Sequence, residues 1–329
     1  MNSDMILSIR DLQITFKTYD GDVQAVNGVD LDIGQGETVG LVGESGCGKS
    51  VTAKAILALL PARTTSVTGK ILFQGQDLLQ FTEKEILKIR GNWISMIFQE
   101  PMTSLNPGLK IGDQIAEALV LHQAMSWPQA RLEAVEMLDQ VRIPSPKIRA
   151  GNYPHSLSGG MRQRAMIAMA LSCQPALLLA DEPTTALDVT IQAQILELMK
   201  QMQAKLNTAI LLITHDLGLI AEVAERVLVM YAGRVVEEAP VKDLYKNPLH
   251  PYTQGLLGSI PVLGEKFTSG RQSLVEIPGT VPSLFDLPGG CAFHPRCRHT
   301  MEICRKQAPP RTAPDATRKV ACWLNTEKE

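Results

Sequence analysis

The chain has 329 residues, 45% hydrophobic and 20% charged, with 32 Lys plus Arg against 34 Asp plus Glu for a formal charge of −2. That length suits one large or two modest domains with a substantial core, and the near-balanced charge gives no support to bulk electrostatic binding of nucleic acid or of an anionic membrane. No run of about 18 apolar residues is present to span a bilayer, and Met1-Asn2-Ser3-Asp4-Met5 lacks the basic-then-apolar pattern of a secretory leader. A soluble cytosolic chain is expected.

Residues 6–33 alternate in a β-like manner, with Asp20-Gly21 and Asn27-Gly28 as turn signals, which predicts a small antiparallel sheet of short strands. Phe16 and Tyr19 lie where an aromatic ring could stack on a base, although core packing is the commoner role for either. Residues 37–42 are apolar with β-branched positions and predict a buried strand. Gly43-Glu44-Ser45-Gly46-Cys47-Gly48-Lys49-Ser50 follows and reads G-x-x-x-x-G-K-S, a phosphate-cradling loop. Glycines there let successive backbone N–H groups point inward at phosphate oxygens. The helix predicted over 51–60, starting near Lys49, adds the positive end of its dipole. Lys49 is then placed to reach the β- and γ-phosphates of a nucleotide, and the Ser50 hydroxyl to ligate Mg²⁺.

Residues 69–79 predict a hairpin, 83–90 a short charged helix, and 93–98 an apolar strand ending at Gln99. The proline-rich 101–107 segment suits no regular structure. From 111 to 141 the periodicity is helical, with Ile115, Leu119 and Leu121 on one helix and Leu132, Val135 and Leu138 on the next. A further helix follows Leu157-Ser158-Gly159-Gly160, and its Met161, Met166 and Met169 read as core filler. Residues 176–180 and 209–213 are unbroken apolar runs ending in Asp181-Glu182 and Thr214-His215-Asp216. Such runs joined by helices imply a parallel sheet covered on both faces. Asp181 at a strand end suits Mg²⁺ through its water shell, Glu182 can orient or deprotonate an attacking water, and His215 can reach a γ-phosphate from a third direction.

This ordered set resembles an ABC-transporter ATPase over residues 6–240: the 43–50 loop, Gln99, Leu157-Ser158-Gly159-Gly160-Met161-Arg162-Gln163, Asp181-Glu182, Ala186-Leu187-Asp188 and His215. Met161 stands where glutamine is usual and Cys47 where serine is frequent, and neither position supplies an obligatory ligand. The resemblance implies an α/β P-loop NTPase cassette with a RecA-like core, an antiparallel β subdomain and a helical subdomain at about 100–172. Residues 1–239 would form this ATPase domain. It further implies ATP and Mg²⁺ as cofactors, with Gly43, Glu44, Ser45, Gly46, Cys47, Gly48, Lys49, Ser50 and Val51 around the phosphates and Phe16 on the adenine. Ser50, Gln99 and Asp181 would serve the metal, Gln99 would also sense the γ-phosphate, and Glu182, His215 and Gln99 would be catalytic. Ser158, Gly159 and Gly160 would act on ATP held by the opposite cassette of a head-to-tail dimer, Asp188 would be a further nucleotide-binding residue, and a second cassette, identical or homologous, is therefore required.

Stretches 42–46, 98–107, 181–194 and His250-Pro251-Tyr252-Thr253 are similar to the ATPase subunits of oligopeptide, dipeptide and nickel importers. Such a subunit sits on the cytoplasmic face of the membrane beneath two permease subunits fed by an extracytoplasmic solute-binding protein. The implied function is ATP-driven uptake of peptides or a related small solute, with a non-transport cassette acting on nucleic acid or ribosomes as the competing reading. Beyond residue 239 the composition shifts: 11 of the 20 prolines and four of the six cysteines fall there, so 240–329 is set apart as a loop-rich extension. Cys291, Cys297, Cys304 and Cys322 match neither a C-x2-C zinc pair nor a ferredoxin run. Thiolates at irregular spacing can hold a four-iron cluster or zinc, or pack unligated. The resemblance favours the cluster.

Overall fold

The computed structural model describes residues 5–99, 104–184, 189–259 and 277–326. Two long strands open the chain, β1 (Met5–Thr18) and β2 (Gly21–Gly34), joined by a tight turn at Tyr19 and Asp20. With β4 (Thr65–Phe73) and β5 (Gln76–Asp77) they form an antiparallel sheet ordered β2-β1-β4-β5. Asn27-Gly28, expected as a turn, instead lies inside β2, where the register against β1 slips between Leu12–Val29 and Gln13–Asn27. Gly28 adopts φ 73° there. A bulge absorbs the extra residue without ending the strand, so four expected short strands are two long bent ones.

The second sheet runs β11-β10-β9-β3-β8-β7-β6. Its parallel members are β3 (Thr38–Val42), β6 (Ile94–Ile97), β7 (Leu177–Asp181), β8 (Ala209–Thr214) and β9 (Arg226–Tyr231). β10 (Arg234–Pro240) returns antiparallel to β9, and the two-residue β11 (Lys319–Val320) pairs with β10. The strands are unbroken apolar runs because each face has its own core. Val42, Leu178, Ala180, Ile210, Leu212 and Val229 turn to the helical side, and Leu41, Leu177, Leu179, Leu211, Ile213 and Leu228 to the β1–β5 side.

The helical side holds α3 (Ile111–Gln123), α4 (Trp127–Gln140), α5 (Pro146–Ala150), α6 (Gly159–Leu171) and α7 (Val189–Leu206). Met166 is fully buried, with Met161 and Met169 packed against the same core. Leu121 and Leu132 are both 71% exposed, while Ile115, Leu119 and Leu138 are buried. On α4 the core face is Ala130, Ala134, Met137 and Leu138, whose small members admit α3 closely. α1 (Lys49–Ile56) and α2 (Glu83–Ile89) lie toward the β1–β5 side. The helix expected to start near Lys49 and run to 60 begins at Lys49 and stops earlier, at Ile56, followed by Ala58 in the left-handed region (φ 49°).

After β10 come α9 (Val241–Lys246) and α10 (Pro251–Gly258), with α8 (Leu217–Val223) between β8 and β9, and finally α11 (Glu302–Lys306). The extension is fastened by charge: Glu238 of β10 pairs with Arg226 at 2.6 Å, with Lys319 at 3.3 Å and with Arg311. It is also fastened by a buried aromatic group of Tyr231, Tyr252 and Phe293, with Tyr231 and Tyr252 ring centroids 4.6 Å apart. His250 caps α10 by accepting the Tyr252 N–H on Nδ1 at 3.0 Å and is 1% exposed.

Burial holds the His250 imidazole down to about 3 from its ordinary 6.5. A group depressed in the folded state contributes fully above its unfolded value and loses that contribution as pH falls through the window from about 6.5 toward 3. His250→Asn keeps a cap acceptor but cannot titrate. Urea unfolding should therefore show the parent chain losing about 1.4 kcal/mol more than His250→Asn for each pH unit below 6.5. Parallel pH dependences would refute the neutral buried imidazole.

Candidate nucleotide site

The site forms where the carboxyl ends of β3, β7 and β8 meet. Because β3 pairs with β8 and β8 with β7, the loop after β3 lies two strands from the end of β7. Two glycines make the loop's path. Gly43 has φ 152°, and a Cβ there would sit 2.1 Å from the Met230 carbonyl oxygen of β9. Gly48 has φ 106° at the N-cap of α1, and its Cβ would fall 2.5 Å from the Ala25 carbonyl oxygen. Any side chain would push the loop off the sheet. Ser45 and Gly46 stand exposed at the tip, Cys47 is buried beneath, and Val51 is half-buried in α1.

Lys49 is 6% exposed, and its Nζ donates to the carbonyls of Gly43 at 2.7 Å and Glu44 at 3.0 Å. The ammonium is thus held over the loop's own concave side. Ser50 Oγ donates to Asp181 Oδ1 at 2.9 Å. A hydroxyl beside a carboxylate is the hard-oxygen donor set that suits Mg²⁺, so the residues present fit that ion. Burial raises the Asp181 carboxyl, the Ser50 hydrogen bond lowers it, and the Glu182 charge raises it further. A divalent cation would offset that unfavourable burial.

Glu182 adopts the left-handed conformation (φ 47°), with its N–H donating to the Ile213 carbonyl at 2.8 Å. This turn points its carboxylate away from Asp181. One carboxylate oxygen accepts from Gln99 Nε2 at 3.0 Å, and the other lies 3.1 Å from His215 Nδ1. The Glu182 side chain is 15% exposed and that of His215 65%. A largely shielded carboxylate between an amide and an accessible imidazole is equipped to accept a proton from a water and to pass polar contacts between three strand ends.

Ser158, Gly159 and Gly160 lie elsewhere, at the start of α6, where Ser158 caps the helix by accepting the Met161 N–H at 3.4 Å. Ser158 and Gly159 are exposed, so this 13-residue helix offers its positive end outward. Its buried Gln163 donates to the Pro183 carbonyl, tying α6 to the segment after Glu182. Phe16 is half-buried against the β1–β5 core, while Tyr19 is fully exposed at the hairpin turn. Asp188 and residues 100–103 and 185–187 lie outside the described residues.

Residues 26–185 match the ABC transporter family, and residues 236–304 match the oligopeptide/dipeptide transporter, C-terminal region. The chain is 52% identical over 326 residues to the dipeptide transport ATP-binding protein DppD of Bacillus subtilis, covering 99% of this chain and 96% of that one. The chain belongs to the ABC transporter family. The oligopeptide transport ATP-binding protein OppD of Salmonella typhimurium is 49% identical over 99% of this chain and 96% of its own length. Among solved structures, a dimeric ATP-binding cassette in a post-hydrolysis state bound to ADP and Pi superposes with a TM-score of 0.64 at 29% identity, over 71% of this chain and 98% of that one. CbiO1 from Clostridium perfringens, part of the ABC transporter complex cbiONQ, gives 0.62 at 27% identity, over 74% of this chain and 92% of that one. The fold is therefore that of an ATP-binding cassette, and the chain is an ATPase of that type.

The loop also makes contacts with no motif to announce them. The Glu44 backbone N–H donates to the Tyr252 hydroxyl at 2.9 Å, and the Glu44 carboxylate takes both terminal nitrogens of Arg296 at 2.7 and 3.0 Å. His-Pro-Tyr-Thr was legible only as a mark of lineage, and the single signal for Arg296 is its place beside Cys297. Cys291, Cys297, Cys304 and Cys322 share one neighbourhood: burial raises the Cys291 thiol, and Cys304 and Cys297 raise it further. Burial likewise pushes Cys322 up to about 11, with Cys291, Cys297 and Cys304 adding to it. Among the described residues no group of three or more His, Cys, Asp or Glu side chains is arranged to hold a metal ion, so as folded here the four thiols are gathered without converging as ligands.

Proposed function

We propose that this chain is the ATP-hydrolysing subunit of a membrane importer for di- or oligopeptides, working at the cytoplasmic face of the membrane. The observation that carries the reading is one chain holding both the Lys49–Ser50–Asp181–Glu182 cluster and a transporter-type C-terminal region. Among the described residues no helix is long and apolar enough to cross a membrane. Two permease subunits, an extracytoplasmic solute-binding protein and a second cassette, identical or homologous, complete the assembly.

In this reading the 43–50 loop binds the phosphates, Lys49 leaves its two carbonyls for the β- and γ-oxygens, and Phe16 stacks on the adenine. Ser50 and Asp181, with Gln99, would hold Mg²⁺, which would supply neutralisation of the phosphate charge. Glu182 accepts the proton of the attacking water, and His215 turns from Glu182 to the γ-phosphate. The exposed α6 terminus at Ser158, Gly159 and Gly160, together with Asp188, meets nucleotide held by the opposite cassette. A single cassette then has half of two sites, and hydrolysis follows dimer closure.

Glu182→Gln keeps the side chain's size and removes the base. In cells whose own copy is deleted, it is expected to abolish uptake of a labelled dipeptide and to lower ATP turnover by about 10²–10⁴-fold, while ATP binding by the purified chain stays near the parent value. Retained turnover would remove Glu182 from the role, and retained dipeptide uptake in the deletion strain itself would remove the peptide assignment.

A second reading concerns Cys291, Cys297, Cys304 and Cys322. Four thiols in one neighbourhood of the extension are a ligand set for either an iron–sulfur cluster or zinc, and the family resemblance favours the cluster; loading would require them to deprotonate and draw together. Anaerobic purification should then yield about four irons per chain with a broad visible absorbance. Colourless, iron-free protein would contradict it.

A further inference from the structure

Glu44 is the second residue of the phosphate loop, yet nothing in the G-x-x-x-x-G-K-S pattern requires a carboxylate there. The structure gives it an unusual set of partners. Arg296, whose side chain is only 5% exposed, binds the Glu44 carboxylate through both terminal nitrogens, the fork geometry that suits a carboxylate. The Arg296 Nε donates to the Pro278 carbonyl at 3.0 Å, and its guanidinium lies over the Tyr231 ring at 5.9 Å, so it is itself held from two further sides. The Tyr252 hydroxyl, 208 residues from Glu44, accepts the Glu44 N–H. Side chain and backbone of one loop residue are therefore both fastened to residues beyond 240.

The consequence reaches the phosphates through Lys49. Its Nζ rests on the carbonyls of Gly43 and Glu44, and Gly43 is pressed on the Met230 carbonyl, one residue before Tyr231. Displacing Glu44 therefore displaces the loop backbone from which Lys49 reaches the phosphates. We propose that Arg296, with the Tyr252 hydroxyl, is a positioning residue of the ATP site, holding Glu44 from the C-terminal extension so that the loop presents Lys49 to the phosphates. The extension is then a working part of the nucleotide site in this chain, and whatever shifts the segment between Cys291 and Cys297 shifts ATP affinity. The inference rests on the ATPase reading.

The test uses the full-length chain and a fluorescent ATP analogue with Mg²⁺. Arg296→Met is expected to raise the analogue's Kd and the KM for ATP about tenfold while kcat at saturating ATP stays within about twofold, because the lost contact acts on binding geometry and not on Glu182. Arg296→Lys, which keeps the charge without the fork, should recover part of the affinity. Adding Glu44→Gln to Arg296→Met should cost nothing further, since the two act through one contact. A folded Arg296→Met with parental Kd and KM, or full additivity with Glu44→Gln, overturns the proposal. Should Arg296→Met fail to fold, Tyr252→Phe removes only one hydroxyl, and an unchanged Kd in that variant overturns the proposal equally. Lys49→Ala separates the two levels: binding that survives it defeats the phosphate-loop assignment, whereas binding lost there but untouched in Arg296→Met defeats this inference alone.

Discussion

The hydrogen bond between Ser50 Oγ and Asp181 Oδ1 joins the first turn of α1 to the end of β7 across the intervening strand β8. It can form only if three strands run parallel, in register, with their carboxyl ends level. That constraint explains why β3, β7 and β8 are apolar on both faces, since a sheet that gathers chemistry at one edge has to be covered above and below. It also explains the two crowded glycines, which let the loop lie flat on the strand end, where a Cβ would lift Lys49 and Ser50 away from Asp181. Glu182 gains its separate role from its own backbone geometry: its left-handed turn leaves the Asp181 carboxylate on Ser50 and sends that of Glu182 to Gln99 and His215.

The C-terminal extension is built into this arrangement on two sides. β11 adds to the sheet edge beside β10, and Arg226, Arg311 and Lys319 converge on Glu238, whose side chain is 7% exposed. A carboxylate so far removed from water is tolerated because three cations surround it, and losing one of them would leave an undercompensated buried charge. On the other side, Tyr252 and Arg296 fasten Glu44. The segment beyond the compositional change at residue 240 thus contacts the nucleotide loop directly.

Much of the site was legible in the sequence because it rests on local rules. A glycine loop between an apolar run and a helix former, or Asp181-Glu182 after Leu177-Leu178-Leu179-Ala180, is a short-range pattern whose physical cause lies within a few residues. Helix and strand existence followed from periodicity for the same reason. Asn27-Gly28 misled because a bulge and a turn demand the same left-handed glycine, and only pairing with β1 distinguishes them. Periodicity placed Leu132 on a helix but not its face: α4 turns its alanines inward and leaves Leu132 at the surface. The grip of Arg296 on Glu44 spans 252 residues, and no local rule carries information over that distance.

The central claim is that residues 43–50, Asp181 and Glu182 form one ATP site. The structure of the full-length Glu182→Gln chain with ATP and Mg²⁺ tests it most directly. The account predicts the triphosphate inside the loop, Lys49 Nζ moved from the Gly43 and Glu44 carbonyls to phosphate oxygens, and the metal on Ser50 Oγ. A triphosphate bound outside the loop, or Lys49 still donating to its two carbonyls with nucleotide present, would contradict it.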